Sequence, residues 1–132
     1  MQKVFIITGA NRGLGKAFVD VLIKNENHFV ISISRSQSEE QKTYAPTNFY
    51  FLKVDLSENT LGKKIGVLKD LIAKEEIYFI NNASIIEPIT KIEHLNEDAI
   101  DKTISVNIKS TMLITKYLLR HFDNHKLSFV NI

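Results

Sequence analysis

The chain contains no cysteine and no tryptophan, and only two of its 132 residues are proline. Without cysteine it has no disulfide framework, no thiolate zinc site and no cysteine nucleophile, and we expect it to work in a reducing cytoplasm. Long apolar runs are missing too. The first run, residues 4–7, ends at Thr8 and Gly9, so it is too short for a signal-peptide core or a membrane span. We therefore expect no membrane partner.

Neither sign of charge dominates, because 17 Lys and Arg face 15 Asp and Glu for a net charge of +2. These charges are spread along the chain without a basic run, so we expect no nucleic-acid partner. Hydrophobic residues make up 44% and charged residues 24% of the chain, which is typical of a globular protein. Its length fits one domain over residues 1–132.

Five short apolar runs predict β-strands. They are rich in β-branched and aromatic residues, and they are continuous, as in strands that are buried on both faces. The runs cover residues 4–7, 29–33, 49–54, 77–80 and 127–132. Because helical patterns separate them, we predict an α/β fold in three layers: a doubly wound parallel sheet of strand order 3-2-1-4-5 with helices on both faces. A ligand crevice then lies beyond the carboxyl ends of the first and fourth strands.

Apolar residues recur at helical spacing in three of the intervening segments. The predicted core positions are Phe18, Val21 and Leu22 in the first helix, Leu61, Ile65, Leu68 and Ile72 in a later helix, and Ile100, Ile104, Ile108, Thr111, Thr115 and Leu118 in the longest. The longest helix is predicted over residues 96–122, with Asn96 as its N-cap. Residues 36–46 offer only a short helix or a loop.

The segment Thr8-Gly9-Ala10-Asn11-Arg12-Gly13-Leu14-Gly15 connects the first strand to the first helix. Its glycines allow a tight turn and a close approach of the main chain to a ligand, and the N–H groups that open the helix point at a bound anion. A nucleoside triphosphate loop is the nearest rival reading of this segment. That loop needs a glycine and a Ser or Thr where this chain has Ala10 and Ala17, so the sequence favours a dinucleotide.

Arg35 stands 20 positions after Gly15, within Ser34-Arg35-Ser36 at the end of the second predicted strand. An acidic residue there would accept a hydrogen bond from the ribose 2′-hydroxyl, whereas an arginine with flanking hydroxyls suits a 2′-phosphate. Arg12 offers a second positive contact to the same phosphate. The sequence therefore predicts NADP(H) as cofactor, rather than NAD. The alternative is that both arginines are solvated on the surface.

Three motifs in register resemble the short-chain dehydrogenase/reductase family: Thr8-Gly9-x-x-x-Gly13-x-Gly15, Asp55-Leu56 and Asn81-Asn82-Ala83. Residues 31–35, 54–57 and 80–83 are most similar to the bacterial branch related to sepiapterin reductase and benzil reductase. The resemblance implies a Rossmann-type fold and a set of cofactor contacts. These are Gly9, Asn11, Arg12, Gly13, Leu14 and Gly15 for the pyrophosphate and ribose, Arg35 for the 2′-phosphate, Asp55 and Leu56 for adenine, and Asn82 and Ala83 for the nicotinamide side. It also implies that Asn107 belongs to the catalytic proton relay.

Ser84 departs from the family pattern, which usually has glycine after Asn-Asn-Ala. If this position needs a positive φ, serine carries a strain of about 1–3 kcal/mol, or the loop takes another path.

A second departure concerns catalysis, because no tyrosine has a lysine four positions later. We expect the chain to be the N-terminal portion of a reductase, inactive by itself, that ends before the family's catalytic Ser, Tyr and Lys. The parent enzyme would reduce the carbonyl of a small molecule to an alcohol by hydride transfer. A stand-alone, non-catalytic dinucleotide-binding or sensing module is the alternative.

The fifth strand and the long helix predict self-association. Phe129, Val130 and Ile132 would lie on an exposed strand edge, and such an edge invites pairing with another chain. We therefore expect a homo-oligomer, formed through this strand or through the long helix. No metal is expected, because His121 and His125 have no third ligand at a suitable spacing.

Overall fold

A computed structural model describes residues 2–73 and 76–132, and its strands form one five-stranded parallel sheet in the order β3-β2-β1-β4-β5. The strands are β1 (Lys3–Thr8), β2 (His28–Ser34), β3 (Phe49–Lys53), β4 (Glu76–Asn81) and β5 (Leu127–Asn131). Each predicted apolar run coincides with one of them, although the runs 49–54 and 127–132 extend one residue past the ends of β3 and β5. The predicted strand order is confirmed.

Within the described ranges, five α-helices connect the strands, together with shorter helical turns. The α-helices are α1 (Gly13–Leu22), α2 (Leu61–Lys64), α3 (Leu68–Leu71), α4 (Glu97–Ile104) and α5 (Ser110–His121). Turns of 3₁₀ type occupy Gln41–Thr43, Ile65–Val67 and Ile92–His94, and a π-helical turn occupies Ser105–Lys109. Among the described residues, no helix is long and apolar enough to cross a membrane.

The sheet has a hydrophobic core on each face, because successive side chains of a strand point to opposite sides. Val4 and Ile6 of β1 belong to the larger core, which also contains residues of α2, α3 and α5. Phe5 and Ile7 belong to the smaller core, to which α1 contributes Val19. Three layers result, as the alternation of strands and helices predicts.

Two of the shorter helical predictions are confirmed in part. The helix expected from Leu61 to Ile72 is divided by a 3₁₀ turn, yet its four predicted core residues are all buried. In α1 the prediction for Val21 is wrong, because this side chain is 67% exposed and Val19 is buried instead. Residues 36–46 form a loop with one 3₁₀ turn, as expected.

The apolar stripe predicted for the long helix is wrong over its first half. Asn96 does cap the helix, since its Oδ1 accepts a hydrogen bond from Ala99 N at 2.8 Å. The side chains of Ile100, Ile104 and Ile108 are nevertheless 40%, 48% and 55% exposed. The buried positions of this helical segment are Val106, Ser110, Ile114 and Leu118. The physical reason is that α4 lies outside both hydrophobic cores of the described chain: none of its residues is buried, so its apolar spacing marks no core-facing side.

Leu118 and Leu119 test this assignment of faces with one substitution at adjacent positions. Leu118 is fully buried and Leu119 is 54% exposed. We expect Leu118→Ala to lower the free energy of unfolding by about 2–5 kcal/mol, because a core cavity is left behind. Leu119→Ala should cost less than about 1 kcal/mol. Urea denaturation of both variants checks this, and equal losses would contradict the assignment.

Candidate functional site

A cavity of about 410 Å³ opens at the carboxyl edge of the sheet. Its walls come from the residues that follow β1, β2, β3 and β4, and from α4. Nine of the twelve predicted site residues line it: Gly9, Asn11, Arg12, Gly13, Arg35, Asp55, Leu56, Asn82 and Ala83. The fold therefore brings together four segments that are far apart in the sequence, at the place where doubly wound sheets bind their ligands.

The glycine turn has a backbone conformation that residues other than glycine rarely adopt. Gly9 and Gly13 have φ of +64° and +56°, in the left-handed region. Gly15 does not line the cavity but supports the turn, because a Cβ there would lie 2.2 Å from the oxygen of Gly9 and 2.6 Å from Nδ2 of Asn82. Leu14 is 52% exposed and does not line the cavity either.

Thr8 and Asn82 connect the glycine turn to the loop after β4. The fully buried hydroxyl oxygen of Thr8 accepts hydrogen bonds from the backbone N–H groups of Asn82 at 3.1 Å and Ala83 at 3.0 Å. In return, Nδ2 of Asn82 donates to the backbone oxygens of Thr8 at 3.2 Å and Gly9 at 3.1 Å. Two adjoining walls of the cavity are thereby joined to each other. Thr8 belongs to the glycine motif of the sequence, but the sequence predicted no role for it in the site.

Charged side chains of both signs line the cavity: Arg12, Arg35 and Lys102 with Asp55. The N–H and the hydroxyl of Ser57 donate to Oδ1 of Asp55 at 2.9 and 2.6 Å. The hydroxyl of Ser57 holds the pKa of Asp55 below its ordinary value, and the positive charge of Arg35 lowers this pKa further. Asp55 is therefore ionised at neutral pH, and the cavity carries an excess of positive charge.

Lys102 is a site residue that sequence reasoning missed. It reaches the cavity from α4, where its ammonium also pairs with Asp98 at 3.1 Å. The sequence carries no signal for this position, because no motif includes Lys102 and its approach to the cavity depends on how α4 is placed in the fold. Ser34, Ser57 and Ile85 also line the cavity without having been assigned to it.

Asn107 lies in the π-helical turn and does not line the cavity. Its Oδ1 accepts a hydrogen bond from the N–H of Ile85, and its Nδ2 donates to the oxygen of Ile85, both at 2.8 Å. Both ends of the side-chain amide thus hold the loop that follows β4 against the long helix. A role of Asn107 in a proton relay stays a prediction.

Ser84 carries no backbone strain. No non-glycine residue within the described ranges has a positive φ, so the loop after β4 follows a path that serine adopts freely. Ser84 lines the cavity and its side chain is exposed. Of the two possibilities raised by the sequence, the structure shows the second, a loop that needs no glycine at this position.

Thr8→Val tests the connection between the two walls, because valine keeps the shape of threonine and removes the acceptor. The N–H groups of Asn82 and Ala83 would lose their partner, and we expect the free energy of unfolding to fall by about 1–3 kcal/mol. Thr8→Ser retains the hydroxyl and is the matched control, with a smaller loss expected. Urea denaturation of both variants measures the difference. Equal stability of the serine and valine variants would show that the hydroxyl does not hold the walls together.

Comparison with known proteins identifies the family. Residues 3–132 match the family model described as short chain dehydrogenase. The chain is 30% identical to an uncharacterized oxidoreductase of Schizosaccharomyces pombe, over 98% of this chain and 52% of that protein. It is also 30% identical to benzil reductase ((S)-benzoin forming) of Bacillus cereus, over 96% of this chain and 53% of that protein.

A solved structure of similar sequence has the same fold. The short chain dehydrogenase family protein of Francisella tularensis is 28% identical, with a TM-score of 0.73 over 99% of this chain and 50% of that one. The chain spans about half the length of the curated relatives that it matches. Membership of this family implies a nicotinamide dinucleotide cofactor. The glycine turn, the Asp55-Leu56 and Asn81-Asn82-Ala83 motifs and the matched model agree, and the chain belongs to the short-chain dehydrogenase/reductase family.

Proposed function

We propose that the whole protein is an NADP-dependent reductase that transfers hydride to the carbonyl of a small molecule, and that this chain supplies its cofactor-binding part. The observation that carries the proposal is the meeting of Arg12 and Arg35 with the glycine turn in one cavity. The relative named benzil reductase supports a carbonyl compound as the substrate class.

The residues of the cavity fit a dinucleotide. Side chains at Gly9 and Gly15 would fill the space against Ala83 and Asn82, so the backbone of the turn stays open to a pyrophosphate. Asp55 is an ionised acceptor, which suits the amino group of adenine. Asn82 and Ala83 lie on the opposite wall, where we place the nicotinamide side. When bound, the cofactor supplies the hydride, and the protein binds and orients it.

The preference for a 2′-phosphate follows from charge. A hydrogen bond between a charged donor and a charged acceptor contributes about 1.5–3 kcal/mol, and the planar guanidinium of an arginine can make two to one phosphate. Arg35 is exposed and lines the cavity together with Ser34. NADH offers only a neutral ribose hydroxyl at this place, so Arg35 distinguishes the two cofactors.

Arg35→Asp tests the cofactor preference. We expect the dissociation constant for NADPH to rise about 10- to 100-fold, while that for NADH changes only a few-fold, because the aspartate repels a phosphate and accepts a hydroxyl. Titration followed by nicotinamide fluorescence measures both constants. Arg120→Asp makes the same charge change on α5, at a residue that does not line the cavity, and should alter neither constant. An unchanged preference in Arg35→Asp would refute the role of Arg35.

We further propose that the chain self-associates through the long helix or the edge of β5. Ile100, Ile104 and Ile108 are at least 40% exposed on the helix, and Met112 is 66% exposed. Within the described residues β5 pairs only with β4, and Phe129, Val130 and Ile132 are 40–62% exposed. Exposed apolar area of this kind favours contact with a second surface.

Sedimentation equilibrium tests self-association. We expect the wild-type chain to have a molar mass above that of the monomer, and Ile104→Glu to lower it, because a carboxylate would have to be buried at the interface. Val21→Glu is the matched control, since Val21 is 67% exposed on α1. A wild-type chain that stays monomeric at high concentration contradicts the proposal. If Phe129→Glu lowers the molar mass and Ile104→Glu does not, the contact is formed by the edge of β5 and not by the long helix.

A further inference from the structure

In the described part of the chain, side-chain contacts join the segment after β2 to the glycine turn and α1. Of the residues that make these contacts, only Asn11 lines the cavity. The four side-chain contacts are Asn11 Nδ2 to Ser36 Oγ at 3.1 Å, Lys16 Nζ to Glu40 Oε2 at 2.7 Å, Tyr44 OH to Asp20 Oδ1 at 3.2 Å and Gln41 Nε2 to the backbone oxygen of Ala10 at 2.7 Å. Three of them are exposed or partly exposed. Only the contact of Gln41 is buried.

Gln41 is held at both ends of its side-chain amide. Its Nε2 donates to Ala10, and its Oε1 accepts from the backbone N–H of Ser38 at 3.1 Å. The backbone N–H of Gln41 donates in turn to Oγ of Ser38 at 3.2 Å. Gln41 is 1% exposed and Ala10 is fully buried, so water cannot replace these partners without opening the structure. The side chain is therefore fixed in one position.

The bond to Ala10 fixes the direction of a peptide group inside the glycine turn. In a trans peptide the C=O and the following N–H point in opposite directions. Holding the oxygen of Ala10 towards Gln41 therefore turns the N–H of Asn11 away from Gln41. Asn11 lines the cavity, whereas Gln41 does not.

The contact acts next to the position where the turn is most constrained. Gly9 precedes Ala10 with φ of +64°, and a free glycine populates many other conformations. A buried hydrogen bond stabilises the folded chain, and a buried carbonyl that loses its partner destabilises it by more than the bond itself contributes. The exposed ion pair of Lys16 and Glu40 contributes less, since water screens it. Among these four contacts, the buried hydrogen bond of Gln41 therefore contributes most to holding the glycine turn in place.

We propose that Gln41 is a positioning residue that sets the glycine turn in its ligand-binding shape before a dinucleotide arrives. The ligand class rests on the proposed function, whereas the ordering of the turn does not. Because the turn carries the pyrophosphate site, which NADPH and NADH share, loss of Gln41 weakens the binding of both cofactors. This distinguishes Gln41 from Arg35, which acts on NADPH.

Amide hydrogen exchange of the ligand-free chain tests the ordering directly. Gln41→Met keeps the length of the side chain and removes both hydrogen bonds, and we expect exchange in residues 9–16 to accelerate about 5- to 20-fold, with β3 and α5 unchanged. Gln37→Met is the matched control, because the structure describes no side-chain hydrogen bond of Gln37 in the same segment. Unchanged exchange in residues 9–16, or equal acceleration throughout the sheet, would overturn the proposal.

The dissociation constants of NADPH and NADH give the second readout. Gln41→Met should raise both about 5- to 20-fold, and Gln37→Met should raise neither. If Gln41→Met binds both cofactors as the wild type does, the proposal is wrong. If the wild type binds neither cofactor while exchange still shows the local ordering, then the cofactor assignment has failed and the role of Gln41 in shaping the turn stands.

Gln41→Glu is a second variant, whose pH dependence tests the hydrogen bond to the oxygen of Ala10 independently of the methionine variant. Burial raises the pKa of a carboxyl, so the side chain introduced by Gln41→Glu is protonated as the pH falls. The protonated form donates to the oxygen of Ala10, whereas the carboxylate repels it. We expect NADPH affinity relative to the wild type at the same pH to recover between pH 8 and pH 5.5. A ratio that does not change with pH would contradict the proposal.

Discussion

The arrangement of the site depends on one buried hydroxyl, that of Thr8 at the end of β1. Parallel strands leave their following loops at one edge of the sheet, and nothing in the ladder of hydrogen bonds between strands fixes how far apart those loops lie. Thr8 fixes it, because its oxygen accepts from two successive N–H groups after β4. The side chain of Asn82 then reaches back to the glycine turn. Gly15 lies so close to Gly9 and Asn82 that a Cβ at this position would collide with both.

Much of this arrangement was predictable from the sequence. Continuous apolar runs between helical patterns determine the strand order, and motif residues that lie after successive strands must meet at one edge, so nine predicted residues line one cavity. The failures lie in the first half of the long helix. Its apolar residues recur at helical spacing, yet no residue of α4 is buried and Ile104 is exposed. Periodicity predicts that a helix has an apolar face but not which surface covers that face, and no motif marks Lys102, which reaches the cavity from α4.

Several motif residues support the site without lining it. Gly15 makes room for a neighbouring loop, and Asn107 holds Ile85 by both ends of its amide. Such residues are recognisable in a sequence because strict backbone or packing requirements allow few residue types at their positions. A sequence motif therefore does not show whether a residue lines the cavity or only supports it. Gln41 belongs with them structurally, although no motif includes it. A motif is therefore partly a description of how a cavity is built.

The unequal charges of the cavity have a kinetic consequence. Arg12, Arg35 and Lys102 outnumber Asp55 in a concave site that shields them partly from the solvent, and such a site concentrates field lines at its mouth. Anionic molecules are drawn towards it before any hydrogen bond forms, so encounters become more frequent than free diffusion alone would give. Added salt screens this attraction over roughly 10 Å at 0.1 M ionic strength. The rate of capture, more than the rate of release, should then vary with the ionic strength of the surroundings.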